Sequence, residues 1–190
     1  RVFFTAGTQE SDEPNVGRGE MNLTPEGLAI FLAMVDDLIP AKLSDVTQPS
    51  DIIQGVPNDG LMDGSDWGWP GAETPDLALD NNTGKKFLHF KGENEPTGLR
   101  VTPLDGPSIV TGITLTTAND AVERDPVTFE LSGSNEGIDG PYELIAAGDI
   151  VDFAGEASWP RFTMNATPIT FDNDVAYAHY QLLFPTVRDG

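Results

Sequence analysis

The sequence has no cysteine, few basic residues and no long apolar run. The absence of cysteine among 190 residues excludes disulfide bonds, thiolate metal sites and cysteine nucleophiles. Only 10 lysines and arginines stand against 31 aspartates and glutamates, for a net charge of −21. Nucleic acid needs a basic footprint, so we do not expect it as a partner. No apolar run reaches the roughly 18 residues of a membrane span, so membrane insertion is not expected either.

Catalytic motifs are also missing. The two histidines, His89 and His179, each lie in a segment that alternates like a strand, and neither is marked as a general base. The sequence has no G-x-S-x-G nucleophile turn, no H-E-x-x-H zinc motif and no phosphate-binding loop. We therefore expect a protein that is not an enzyme and that requires no cofactor.

The first 40 residues contain a short strand and a helix. The predicted strand is Val2, Phe3, Phe4 and Thr5, which are all β-branched or aromatic. Thr24 suits the N-cap of the helix, and Pro25 suits its first position. The apolar face of this helix is broad, so it packs either against its own domain or against another copy of the chain. The central residues of that face are Leu28, Phe31, Leu32 and Val35.

The rest of the chain has β character. Residues 40–60 are rich in turn-forming residues and are predicted to be a linker. The predicted strands that follow are Lys86–Phe90, Leu99–Thr102, Ile109–Thr117, Val127–Ser132, Tyr142–Ala146, Arg161–Met164, Ile169–Phe171 and Tyr177–Phe184. Their alternation predicts a core that includes Ile113, Leu115, Phe129, Leu131, Leu182 and Phe184.

The sequence thus predicts a mainly β protein with one α-helix. Residues 1–23 form an N-terminal strand arm, residues 24–60 the helix and its linker, and residues 61–190 an antiparallel jelly-roll β-sandwich.

Four segments of the predicted sandwich resemble a known family. The segments "DLALDNNTGKKFLHF", "ITLTTANDAVERDPVTFELSGSNEG", "YELIAAGDI" and "YAHYQLLFPTVRD" look like the discoidin-like domain, also called factor 5/8 type C-like or galactose-binding-like. The resemblance is to versions repeated in large extracellular bacterial proteins. It implies a jelly roll, an extracellular or cell-surface location and no catalysis. Many members bind sugars through loops at one end, and many hold a structural calcium ion.

The family's calcium pattern is carried over only in part. Asp80 and Asn82 match ligand-bearing positions, and Lys85 stands where the family often has Thr, so only its backbone carbonyl is available. A carboxylate from the family's final strand usually completes the shell, and that strand, which would follow "FPTVRDG", is expected to be absent. Calcium is one interpretation of this turn, and an Asx turn made by Asp80 and Asn82 is the other.

Sugar binding requires an exposed aromatic ring with polar groups around it. The candidate residues are Trp67, Trp69, Trp159 and Tyr142. The alternative for the tryptophans is that they cap the sandwich core. The arginines Arg100, Arg124 and Arg161 are predicted to pair with carboxylates rather than with sugar. Three N-x-[ST] sequons make Asn22, Asn81 and Asn165 candidate glycosylation sites in a secreted protein.

The N-terminal segments carry a separate resemblance. "RVFFTAG" and "NLTPEGLAIFLAMVDDLI" look like the final strand and helix of a class I glutamine amidotransferase-like domain. The rest of such a domain, with its nucleophile, is absent, so no amidotransferase activity follows.

Two functions of different classes remain. In the first, the protein is an extracellular structural subunit that forms a filament or surface layer with copies of itself. Each copy donates Val2–Thr5 to the sandwich of a neighbour, which the resemblance leaves one strand short. Pairing within one copy is compatible with the same sequence facts. In the second, the protein is a carbohydrate-binding module whose partners are glycans.

Overall fold

The computed structural model describes residues 24–25, 44–61, 68–92 and 94–189. The chain divides into two compact units, Arg1–Ser44 and Asp45–Gly190. The predicted strand Val2–Thr5 and the predicted helix beyond Pro25 lie outside the described residues. Within those residues, no helix has the length and apolar character needed to cross a membrane.

The second unit is built from antiparallel strands. They are β1 (Ile52–Val56), β2 (Thr97–Thr102), β3 (Gly112–Ile113), β4 (Thr128–Ser134), β5 (Glu143–Asp149), β6 (Ile169–Thr170) and β7 (His179–Phe184). One sheet has five strands in the order β1-β2-β7-β4-β5, and β3 pairs with β6 in a second sheet. A short helix, α1 (Val151–Ala154), follows β5, and two 3-10 turns lie at Pro75–Ala78 and Val122–Arg124. The prediction of a mainly β, antiparallel sandwich is confirmed.

Strand β1 corrects the prediction that residues 40–60 are a linker. It pairs with β2 from Ile52↔Thr102 to Val56↔Gly98, so the sandwich begins before residue 61. Gly55 lies beneath the ring of Trp69, and a Cβ at this position would collide with that ring. A glycine in a strand often marks such a close approach. The sequence did not predict this strand because the surrounding Gly and Pro residues are typical of turns.

Three predicted strands are shorter than expected or absent. Residues 86–90 form no strand, and backbone bonds from Leu88 and Phe90 tie them to residues 73 and 68 instead. Residues 109–117 contain only the ladder of β3 and an isolated bridge at Thr116, and a further isolated bridge lies just before them at Ser108. Residues 161–164 contain only a bridge at Met164, because Phe162 has a φ of 55°, which breaks the extended backbone.

The core lies between the two sheets. Its buried members are Leu99, Val101, Phe129, Leu131, Ile150, Phe153, Tyr177 and Tyr180. The predicted core residues Phe129 and Leu131 are among them. The other four, Ile113, Leu115, Leu182 and Phe184, pack against this cluster but remain partly exposed. Ile150 and Phe153, at the start of α1, are the most deeply buried side chains and carried no strand-like pattern that would have predicted their burial.

Phe129→Ala is expected to lower the free energy of unfolding by roughly 3–5 kcal/mol, because it leaves a cavity among buried side chains. Phe162→Ala is the matched control, since Phe162 is 49% exposed, and it should cost less than about 1 kcal/mol. Denaturant melts measure both. A loss for Phe129→Ala no larger than that of the control would show that the register of β4 is wrong.

Candidate functional site

Of the aromatic residues predicted to bind sugar, the three that the structure describes do not form one platform. Trp69 is buried, and its ring meets those of Phe87 and His89 edge to face, with centroids 6.1 and 5.7 Å away. Trp159 packs against the core and donates its Nε1–H to the carbonyl of Met164 at 3.2 Å. Trp67 lies outside the described residues. Trp69 therefore caps the core, which is the alternative that the sequence left open.

Tyr142 lies on the outer face of the five-stranded sheet. Its ring is 5.5 Å from the guanidinium carbon of Arg100, which lies between two core residues of β2 and so points away from the core. Arg100 also donates to Gln181 at 2.8 Å and pairs with Asp139 at 3.0 Å, as predicted for this arginine. Burial raises the pKa of Tyr142, and the positive charge of Arg100 opposes that shift. Arg100 thus contacts Tyr142, Gln181 and Asp139 together on this face of the sheet.

The predicted calcium turn is a double Asx turn. Asp80 Oδ1 accepts the backbone N–H of Asn82 at 2.8 Å, and Asn82 Oδ1 accepts that of Gly84 at 2.9 Å. The backbone N–H of Lys85 donates to the carbonyl of Asn82 at 3.0 Å. This pattern closes a tight loop without any ion.

Calcium takes roughly six to eight oxygen ligands, which include backbone carbonyls as well as side chains. The side chains of the turn offer one carboxylate and one amide group, from Asp80 and Asn82, and one oxygen of each accepts a backbone N–H. Across the described ranges, no group of three or more His, Cys, Asp or Glu side chains is placed to hold a metal ion. The hydrogen bonds of Asp80 and Asn82 are those of the Asx-turn interpretation, and calcium binding stays a prediction.

Two of the three sequons lie in the described part of the chain. Asn81 is exposed, and its side-chain amide donates to Asp45 at 3.2 Å. Asn165 is buried, its amide donates to the carbonyl of Thr167 at 2.6 Å, and its Oδ1 accepts the N–H of Leu115 at 2.8 Å. The burial of Asn165 and these bonds indicate that its side chain supports the fold. Asn22 lies outside the described residues.

Two of the family-like segments meet at one end of the sandwich. The Lys86 ammonium, in the loop before β2, lies 2.7 Å from Asp120, in the loop between β3 and β4. It also lies 3.5 Å from Glu73, and Arg124 approaches Asp120 at 3.8 Å. The Lys86 side chain is only 15% exposed, whereas Asp120 is half exposed. The predicted salt-bridge role of Arg124 is confirmed.

A buried ion pair holds a second loop beside this cluster. Asp125 accepts hydrogen bonds from both terminal nitrogens of Arg161 at 2.8–3.1 Å. Burial raises the pKa of Asp125, and the positive charge of Arg161 opposes that shift. Arg161 also donates to the carbonyl of Asp120 at 3.5 Å. Since Phe162 is the next residue, the pair fixes its position relative to the β3–β4 loop.

Phe162 is an exposed aromatic ring on a strained backbone. It is 49% exposed, has a φ of 55°, and donates its N–H to the carbonyl of Ala118 at 3.4 Å. A left-handed conformation costs an L-residue other than glycine about 1–2 kcal/mol, and such strain is concentrated at functional sites. The backbone around this exposed ring is thus bonded to the loop that carries Asp120 and Arg124. We call this arrangement the loop-end site and define it as Glu73, Lys86, Asp120, Arg124 and Phe162.

No protein-family model and no curated protein matches the chain. Among solved structures, the protein is similar to the family 32 carbohydrate-binding module of NanJ from Clostridium perfringens in complex with galactose. The identity is 15%, the match covers 75% of this chain and 87% of the other, and the TM-score is 0.51.

The protein is also similar to the CBM32-1 and CBM32-2 domains of ZmpB from Clostridium perfringens in complex with GalNAc. Here the identity is 18%, the match covers 75% of this chain and 32% of the other, and the TM-score is 0.54. The sandwich has the discoidin-like fold. The resemblance that the sequence segments indicated is thereby confirmed at the level of fold.

Sequence reasoning did not identify Lys86 and Phe162 as site residues of the discoidin-like sandwich. Lys86 carried a usable signal, because it lies in one family-like segment and the acidic loop around Asp120 lies in another. Phe162 carried none, since its exposure follows from a backbone angle that neither propensity nor alternation predicts.

Lys86→Met is expected to raise the pKa of Asp120 toward its ordinary value, because the hydrogen bond from Lys86 is the main cause that holds this pKa down. A lowered carboxyl pKa contributes stability that is present above the unfolded pKa and lost as pH falls through the folded pKa. The stability difference between wild type and variant should therefore be full above about pH 4 and shrink in more acid solution.

The pKa of Asp120 can be followed by NMR titration of its carboxyl carbon. Lys85→Met is the control, since the neighbouring Lys85 is exposed. Equal Asp120 pKa values in the two lysine variants would contradict the assigned ion pair.

A chelator is expected to leave the melting temperature unchanged, because the Asx turn at Asp80 closes without an ion. Thermal melts with and without EDTA measure this. A fall of more than about 2–4 °C, or roughly 1 kcal/mol for a chain of this size, would restore calcium if Asp80→Ala abolished the response.

Proposed function

We propose that the sandwich is a non-catalytic carbohydrate-binding module and that the loop-end site receives the sugar. The observation that carries this proposal is the exposed ring of Phe162, whose backbone N–H bonds to Ala118 and so ties it to the loop that carries the ion-paired Asp120. The discoidin-like fold is shared with structures that were solved with galactose and with GalNAc. An extracellular or cell-surface location goes with this function and is part of the proposal.

Each residue of the loop-end site has a distinct task. The Phe162 ring stacks on the apolar face of the sugar ring, where C–H groups meet the π-system. The carboxylate of Asp120 accepts sugar hydroxyls, and Arg124, whose side chain is 37% exposed, donates to them. Lys86 is nearly buried and orients the carboxylates of Asp120 and Glu73 rather than reaching the ligand.

The charge of the site favours a neutral sugar. Its two acidic residues, Glu73 and Asp120, are balanced by two basic residues, Lys86 and Arg124. The chain as a whole carries a net charge of −21, which repels anionic ligands. A neutral hexose or N-acetylhexosamine is therefore a better ligand than a sialic acid or a uronic acid.

The electrostatics of the loop-end site suit binding rather than hydrolysis. Glycosidases typically need one carboxylic acid that holds its proton near neutral pH. The pKa of Asp120 is lowered, chiefly by the hydrogen bond from Lys86. Asp120 is thus an ionised acceptor and not a general acid.

A second candidate function is self-assembly with copies of the same chain through the N-terminal strand. One observation favours it: among the described residues, β3 is paired on one edge only, with β6. Edges of this kind accept strands from other chains.

Phe162→Gly is expected to weaken binding of galactose or N-acetylgalactosamine by about tenfold or more, equivalent to at least ~1.4 kcal/mol. The same change should leave the protein as stable as wild type or up to about 1 kcal/mol more stable, because glycine relieves the left-handed φ. Calorimetric titration and denaturant melts measure the two effects.

Tyr142→Ala is the control on the outer face of the sheet and should bind as wild type does. If this variant loses binding while Phe162→Gly keeps it, the sugar binds beside Arg100 and not at the loop-end site. If the wild-type protein binds no neutral sugar, the proposed function itself fails.

A further inference from the structure

The backbone of residues 111–117 is hydrogen-bonded on one side only. The carbonyls of Thr111 and Leu115 and the N–H of Thr117 all bond to residues 163–171, at 3.0, 2.9 and 3.1 Å. These bonds hold the segment against β6 and the loop that precedes it. Because they involve every second residue, the segment is extended well beyond the two residues of β3 itself.

The alternate residues of this segment face an open edge. In an extended chain, successive N–H and C=O groups point to opposite sides, so those of Gly112, Thr114 and Thr116 point away from β6. No described residue forms a hydrogen bond with the backbone groups of Thr114 or Thr116. Both threonines are exposed. We call Gly112–Thr116 the acceptor edge, since unpaired backbone groups in this arrangement are a template for another strand.

The core beside the acceptor edge is incompletely covered. The five-stranded sheet contributes side chains such as Val101 and Phe129, which are 3% and 5% exposed. Ile113 and Leu115, which point inward from the acceptor edge, stay partly exposed. A strand added at this edge would bury more of both and would pair the open backbone groups.

We propose that the acceptor edge binds residues 2–6 of a second copy of the chain. This inference rests on the proposed self-assembly and names its docking site. The acceptor edge is five residues long, which matches "VFFTA". Val2, Phe4 and Ala6 share one face of such a strand and extend the apolar layer of Ile113 and Leu115. The other face then carries Phe3 and Thr5 beside the exposed threonines.

Charge and sequence favour this occupant. Residues 1–9 include Arg1 and no acidic residue, in a chain whose net charge is −21. Two acidic copies repel each other, and a segment without acidic residues approaches a second copy without adding to that repulsion. A second copy is favoured over insertion into the same sandwich because the predicted helix after Thr24 has an apolar face broad enough for another partner.

Cysteine cross-linking tests the docking directly, because the native chain contains no cysteine. Phe3→Cys protein is mixed with Thr114→Cys protein under mild oxidation, and a disulfide-linked heterodimer is expected. Phe3→Cys mixed with Glu130→Cys is the control, since Glu130 is exposed on β4 of the other sheet. Equal cross-linking of both mixtures, or none of the first, would overturn the inference. The double variant Phe3→Cys, Thr114→Cys tests pairing within one copy. If it forms a disulfide as a monomer and the mixture forms no heterodimer, the strand binds its own sandwich.

Backbone substitution provides the second measurement. Thr114→Pro removes the outward N–H and leaves the bonds to residues 163–171 in place, whereas Thr114→Val keeps the N–H. Light scattering should show association at least tenfold weaker for Thr114→Pro and unchanged for Thr114→Val, with circular dichroism as the check on folding. If Thr114→Pro does not fold, the cross-linking result decides.

Failure of the proposed self-assembly can be distinguished from failure of the acceptor edge as its docking site. A wild-type protein that stays monomeric at all concentrations overturns self-assembly itself. If the wild-type protein assembles and the Thr114→Pro variant assembles as well, self-assembly stands. Only the acceptor edge is then wrong as the docking site. In a wild-type protein that assembles, deletion of residues 1–10 should abolish assembly and leave the sandwich folded, which identifies the donor. Persistent assembly after that deletion overturns residues 2–6 as the donor.

Discussion

The fold depends on backbone pairing along β7, the middle strand of the five-stranded sheet. It pairs with β2 on one side and with β4 on the other, and both neighbours place their apolar residues on the same inward face. Tyr180 of β7 is buried there, and its hydroxyl donates to the carbonyl of Ser108, where the chain crosses toward the second sheet. The register of β7 therefore sets which side chains reach the core, and it fixes the start of the segment that carries the acceptor edge.

The alternation of apolar and polar residues predicts the strands that bury one face, which are β7 and its neighbours. In β4, Phe129 and Leu131 alternate with polar residues, and alternation of this kind specifies register because a slip of one residue would expose both. Strand β1 gave no such signal. Its Gly55 is required by the ring of Trp69, which lies outside the strand, 14 residues further along the chain, so the local sequence resembles a turn. Tertiary contact, and not propensity, makes Ile52–Val56 a strand.

The sequence predicts which types of residue form the candidate site, but it does not predict which residue pairs with which. An acidic chain with few cations must pair its arginines, and Arg161 does so with Asp125, 36 residues away. Which carboxylate a cation meets depends on how the loops meet at the end of the sandwich, and single-sequence patterns do not carry that information. The tryptophan-rich segment shows the opposite case. Its residue type made Trp69 a candidate for sugar binding, but the ring packs over Gly55 and is buried.

The two proposed functions use one continuous segment. The acceptor edge ends at Thr116, and the next residue, Thr117, is 3% exposed and lies at a junction of hydrogen bonds. Its hydroxyl donates to the carbonyl of Pro160 at 2.6 Å and accepts the N–H of Thr163 at 3.1 Å, on either side of Phe162. Three residues further along the chain is Asp120. A strand bound at the acceptor edge would restrain Thr116 and, through Thr117, both loops of the loop-end site. Because a binding site that is ordered beforehand loses less entropy on meeting its ligand, assembly and sugar binding would favour each other in this arrangement.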